Sequence, residues 1–190
     1  MPPSCYILVS DGAGSVVFAS KGYNDRKAIR KEPDMQKKRK WLWRTLFWAL
    51  AIGWVAVLFF FSGQTAAESG KLSLWLTHLV QRLFPWIPLT TDALEHLLRK
   101  LAHFSIFALE GFLLCLATAE SFQDVSVGAV LSVIACTALA AANELHQMFF
   151  EGRSCEGRDM LIDAGGALLG IAVAALLLWL LHRRKRAREE

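Results

Sequence analysis

Glu144, His146 and Gln147 stand at the end of one long apolar run, and Asp159 and Asp163 stand at the start of the next. Lys100 and His103 open an earlier run, and Arg153 and Arg158 lie in the short polar link at 153–159. Charges set into apolar segments are expensive, so each is a functional candidate by default. Three kinds of chemistry are open to these residue types. A desolvated Glu144 can act as a general base, with His103 or His146 as proton carrier or metal ligand. Lys100 and Arg153 can hold an anionic group, the arginine through a planar fork that meets phosphate or carboxylate with two bonds. Alternatively, Lys100, Arg153 and Arg158 neutralise Glu144, Asp159 and Asp163, and the set only fixes how three helices meet. The sequence has no paired-histidine zinc motif, no nucleophile elbow and no cysteine pair at metal-ligand spacing, so no metal and no other cofactor is expected.

Membrane helices are the elements that must position these groups. Of the 190 residues 54% are hydrophobic, too many for an ordinary soluble domain, and they come in blocks. Four blocks, at 41–61, 101–119, 125–150 and 160–181, are long enough to cross roughly 30 Å of hydrocarbon. The expected fold is all-α, an integral membrane four-helix bundle with one additional amphipathic helix lying at the interface.

The net charge of +4 does not point to nucleic acid, because of where the charge sits. Ten of the 21 lysines and arginines fall at 21–44, up to the start of the first span, and five more follow the last, at 183–188. Under the positive-inside rule both termini are cytoplasmic, and the protein is expected to be a multi-pass protein of the plasma membrane. The basic tails suit contact with anionic lipid head groups.

Residues 1–34 differ from the rest. Segments 5–10 and 15–20 flank Asp11-Gly12-Ala13-Gly14 and are expected to form a small hairpin, marginal by itself. Met35 directly precedes Gln36-Lys37-Lys38-Arg39-Lys40, a good opening for a first span that is its own insertion signal. The expectation is therefore that residues 1–34 are an extension and that the native chain starts at Met35, which N-terminal peptide mapping of native protein decides. Between the first two spans, Leu72, Trp75, Leu76, Leu79 and Leu83 oppose Lys71, His78, Gln81 and Arg82 at helical spacing. Such a helix either lies on the outer leaflet or packs on the outer end of the bundle. Asp92, with Glu95 three residues on, reads as the cap of a helix running through Arg99 and Lys100 into the second span. Gly166, Gly170 and Ala174, four apart, allow close helix approach in lipid, with the alanine-rich third span as the expected partner.

With both termini inside, His103, Glu144 and Asp163 each lie about 5–9 Å below the outer ends of their spans at 1.5 Å per helical residue. Their phases agree: Lys100, His103, Phe107 and Glu110 share one face, as do Glu144 with Gln147, and Asp159 with Asp163 and Gly166. The expectation is one polar recess at the outer rim. Glu110, about 15 Å deep, is expected to be protonated and bonded to Thr137 in a structural role.

Arg99-Lys100-Leu101-Ala102-His103-Phe104, Asn143-Glu144-Leu145-His146-Gln147, Gly152-Arg153-Ser154, Arg158-Asp159 and Asp163-Ala164-Gly165-Gly166, together with Phe61-Ser62-Gly63-Gln64, resemble the VanZ-like family of bacterial membrane proteins over residues 36–182. The resemblance implies a VanZ-like transmembrane domain at 35–190. It also implies the site set Lys100, His103, Glu144, Gln147, Arg153, Asp159 and Asp163. The family pattern usually has Asp at Asn143, Pro at Glu151 and Tyr at Phe107. The family's namesake is associated with low-level resistance to teicoplanin, a lipid-tailed glycopeptide. Three functions stay open: a non-enzymatic envelope protein that binds or rearranges an amphiphile, a hydrolase or transferase on a lipid-linked substrate, and a proton-coupled carrier using Glu110. The expected partners are membrane lipids and a lipid-linked or glycopeptide ligand, with no nucleic acid. The oligomeric state stays open.

Overall fold

The computed structural model describes residues 6–10, 16–20, 23–152 and 157–189. The chain divides into two compact units, Met1–Leu42 and Trp43–Glu190. In the first, β1 (Tyr6–Ser10) pairs with β2 (Val16–Ser20), antiparallel, from Tyr6 opposite Ser20 to Ser10 opposite Val16. This is the expected hairpin, although Cys5, residues 11–15 and Cys155 lie outside the described residues. Helix α1 (Tyr23–Ser62) follows, with its apolar stretch at Lys37–Ser62.

The second unit holds α2 (Ala66–Leu83), α3 (Thr91–Phe122), α4 (Val125–Gln147) and α5 (Gly157–Glu189). Helices α1, α3, α4 and α5 are each long and apolar enough to cross a membrane, so the protein is a four-helix membrane bundle. Large apolar side chains such as Leu101, Val130, Ile134, Leu168, Leu176 and Trp179 stay exposed around it. An exposed apolar belt of that extent suits lipid rather than water.

Polar side chains pin the order of the helices. Trp48 Nε1 donates to Ser121 Oγ and Trp54 Nε1 to the Ile106 carbonyl, both at 2.9 Å, so α1 runs antiparallel to α3. Thr118 Oγ1 meets Ser132 Oγ at 2.9 Å and donates to the Gly128 carbonyl at 3.0 Å, which locks α4 antiparallel on α3. The turn between them is tight: Gln123 takes the left-handed conformation (φ 55°) and Asp124 caps α4 through the amides of Ser126 and Val127.

Helices α3 and α5 run side by side in the same direction, and here the expected pairing of the small-residue stripe is corrected. Gly166 and Gly170 face Phe104 and Ala108 of α3, the second span, rather than α4. Gly111 returns the arrangement, its missing side chain making room for the backbone of Ala167. Small residues on both helices let the backbones meet directly, which the alanines of α4 alone do not match.

Helix α2 packs on the bundle and also keeps an apolar face exposed. Its Ser69, Ser73 and Thr77 stripe turns inward, with Thr77 fully buried, and Gln81 Nε2 donates to Thr91 Oγ1 of α3 at 3.2 Å. Leu72, Trp75, Leu79 and Leu83 remain exposed, as an interfacial helix requires. Thr65 caps α2 in a capping box: the Glu68 amide donates to Thr65 Oγ1, and the Thr65 amide donates to Glu68 Oε2 at 2.9 Å. The Thr65 amide, then the Thr65 hydroxyl, hold the Glu68 carboxyl below its usual 4.5. A depressed folded value means the cap's contribution is present above 4.5 and fades as pH falls through the lower folded value. In an NMR titration Glu68 is expected to titrate below 4.5, and in Thr65→Ala to move part of the way back. An unchanged titration would remove the hydroxyl from the box.

The cap of α3 differs from expectation by two residues. Thr90, not Asp92, accepts from the Ala93 amide at 3.3 Å, and Asp92 sits in the first turn. Glu95 pairs instead with Arg99, at 2.6 Å.

Candidate functional site

One end of the bundle gathers the end of α1, the start of α3, the end of α4 and the start of α5. The parallel course of α3 and α5 sets Lys100 against Asp159 and, one turn deeper, His103 against Asp163. Lys100 Nζ bonds Asp159 Oδ1, both side chains being about a quarter exposed (24% and 29%). His103 Nδ1 lies 3.4 Å from Asp163 Oδ1, a close polar contact rather than an aligned hydrogen bond. The other oxygen, Oδ2, accepts from Asn143 Nδ2 of α4 at 3.2 Å. Asp163 is fully buried, and its Oδ1 has no hydrogen-bond partner among the described residues. A second acid at 143 would face Asp163 carboxylate to carboxylate. Asparagine supplies a donor there instead.

Glu144 and Gln147 are buried on the same α4 face as Asn143. That face continues through Ala140, Cys136 and Ser132 in the buried stripe of α4. Gln147 Nε2 has no hydrogen-bond partner among the described residues. Of the expected set, Lys100, His103, Asp159 and Asp163 therefore come together directly and Glu144 and Gln147 are buried on the neighbouring face. Arg153 lies outside the described residues, and Arg158 is exposed.

Two other expectations are corrected. Glu110 is fully buried on the Lys100–His103–Phe107 face as its phase requires, but neither carboxyl oxygen has a hydrogen-bond partner among the described residues. Thr137 is exposed and donates to its own helix at the Val133 carbonyl, 2.8 Å away. Its depth suits Glu110, but its direction does not: it sits one residue past Cys136 and so about 100° around the helix from the buried stripe. His146, a candidate proton carrier, serves α1 instead. Its Nδ1 shares a 3.3 Å hydrogen bond with Ser62 Oγ, and its ring packs edge-on against Phe59 and beside Phe150.

A largely apolar cavity of about 260 Å³ lies beside the polar cluster. Leu58 and Phe61 of α1, Leu72 and Leu76 of α2, and Leu98 and Ile106 of α3 form its apolar wall. Arg99, His103 and Asn143 reach it from the polar side. Glu144 and Gln147 are not among the lining residues. Arg99 and Asn143 were not in the expected site set, and both carried a signal: Arg99 adjoins Lys100, and Asn143 shares a helix face with Gln147. Among the described residues no three histidine, cysteine, aspartate or glutamate side chains converge as metal ligands would.

A family model described as VanZ/LLP1 matches residues 47–179, which reach into all four long helices and include every described member of the polar cluster. No curated protein matches the chain, and no solved structure does.

Proposed function

The chain belongs to the VanZ/LLP1 family, and from that premise we propose that this multi-pass membrane protein binds or rearranges an amphiphile at the outer face of the plasma membrane. The observation that carries this reading is the cavity: an apolar chamber among α1, α2 and α3 whose polar side is Arg99, His103 and Asn143. A hydrophobic tail and a polar head have adjoining places there. Concave, mainly apolar sites with a few convergent polar groups are the usual form of ligand pockets. The basic residues flanking the first and last helices support the outer placement, since the positive-inside rule favours cytoplasmic termini.

Binding of this kind supports lowered susceptibility to teicoplanin-like lipoglycopeptides, by sequestering or displacing an amphiphile near the drug's target. The test is expression in a sensitive host, with teicoplanin susceptibility and surface-bound labelled drug as readouts. Wild type is expected to lower both susceptibility and bound drug, and Arg99→Ala combined with Lys100→Ala to restore them. Identical values for wild type and empty vector would end the resistance reading.

A further inference from the structure

We propose that the amphiphile carries a phosphate head group, held in a basic recess at the mouth of the cavity by Arg99, Lys100 and His96, with a single acyl chain in the cavity itself. This rests on the amphiphile reading above and gives its ligand a chemical class. The recess, about 80 Å³, is lined by His96, Arg99, Lys100 and His103 of α3 and by Asp159 and Ile162 of α5. Residues 96, 99, 100 and 103 stand at i, i+3, i+4 and i+7, so one helical face delivers all four nitrogen side chains. Arg99 and His103 line both the recess and the apolar cavity, which makes the two spaces neighbours across one pair of side chains.

The carboxylates around the recess do not close it. Glu95 takes one arm of Arg99, but Arg99 Nε is buried with no hydrogen-bond partner among the described residues. Asp159 holds Lys100 in a pair that stays partly exposed, and such pairs contribute little to stability. An arriving phosphate can therefore take over the Lys100 ammonium and the free Arg99 N–H, with Asp159 as the competitor it displaces. Asp163 accepts from Asn143 and is not among the residues that line the recess. A phosphate is favoured over a carboxylate because it offers three acceptor oxygens to donors that arrive from several directions. At about 260 Å³ the cavity is smaller than the roughly 300–1,000 Å³ common for drug-sized ligands, which suits one chain rather than a ring system.

The experiment compares lysophosphatidic acid with a monoacylglycerol of the same chain, binding to the purified full chain in detergent, with inorganic phosphate as competitor. Wild type is expected to prefer the phosphate lipid roughly tenfold or more, and Arg99→Gln to lose most of that preference. Asp159→Asn is expected to bind the phosphate lipid several-fold more tightly, a gain that misfolding does not produce. Equal binding of both lipids to wild type would overturn the phosphate assignment and leave amphiphile binding standing. Binding of neither would overturn both. Displacement of the lipid by equimolar inorganic phosphate would make this a site for the free anion and overturn the lipid assignment.

Discussion

Gly170→Ala is expected to force α3 and α5 apart and to destabilise the bundle by about 1–3 kcal/mol, the range for inserting a methyl group into a filled interface. An added Cβ would stand 1.8 Å from the Ala108 carbonyl oxygen and 2.8 Å from the Phe112 nitrogen. Both are backbone atoms, so no side-chain rotation makes room. The same substitution at Gly53 of α1 meets nothing within 4 Å. There, alanine is expected to stabilise the helix by about 0.5–1 kcal/mol, because glycine gives up more freedom on folding. Thermal unfolding of the purified protein in detergent measures both variants. One chemical change should thus lower the midpoint at 170 and leave it level or raise it at 53. Equal effects at the two sites would show that α3 and α5 are not in backbone contact. Because the recess beside the cavity is lined by α3 and α5 together, Gly170→Ala should also weaken amphiphile binding without touching the cavity.

The parts of this arrangement that were legible in the sequence are those set along a single helix. Length and apolar content delimit the four spans. The 3.6-residue period puts Lys100, His103, Phe107 and Glu110 on one face, and in the structure that face turns to the interior, with Phe107 and Glu110 fully buried. What the sequence did not reveal depends on which helix stands next to which. The glycine stripe of α5 could have met any small-residue face; only the spatial order gives it α3 and Gly111. Thr137 matched Glu110 in depth, but depth along the axis says nothing about direction around it. At the start of α3, Thr90, Thr91 and Asp92 are all good caps, and local chemistry does not rank them. The cavity was hidden for a further reason. Its polar side falls in the quoted motifs, but much of its wall comes from Leu58, Leu72, Leu76 and Leu98 on three different helices, which carry no motif.

The Asn143–Asp163 hydrogen bond separates what the polar layer does for folding from what it does for binding. Asp163→Leu leaves the Asn143 amide without its acceptor, and Asn143→Leu takes the donor from a fully buried carboxyl group. Each single change is expected to destabilise by about 1–3 kcal/mol, the penalty of stranding a buried polar group. Replacing both at once removes donor and acceptor together. The double variant is therefore expected to recover most of the loss, since paired apolar replacement of a buried polar contact is often close to neutral. Detergent-solubilised thermal midpoints for the four members of the cycle give the coupling directly, and simple addition of the two single losses would deny that these residues share a bond. Lipid binding by the double variant then carries the functional half. If the layer exists only to orient three helices, a double variant of restored stability should bind as wild type does. Asn143 reaches the cavity wall and Asp163 holds His103 beside it, so the expected result is a stable protein with weakened head-group binding.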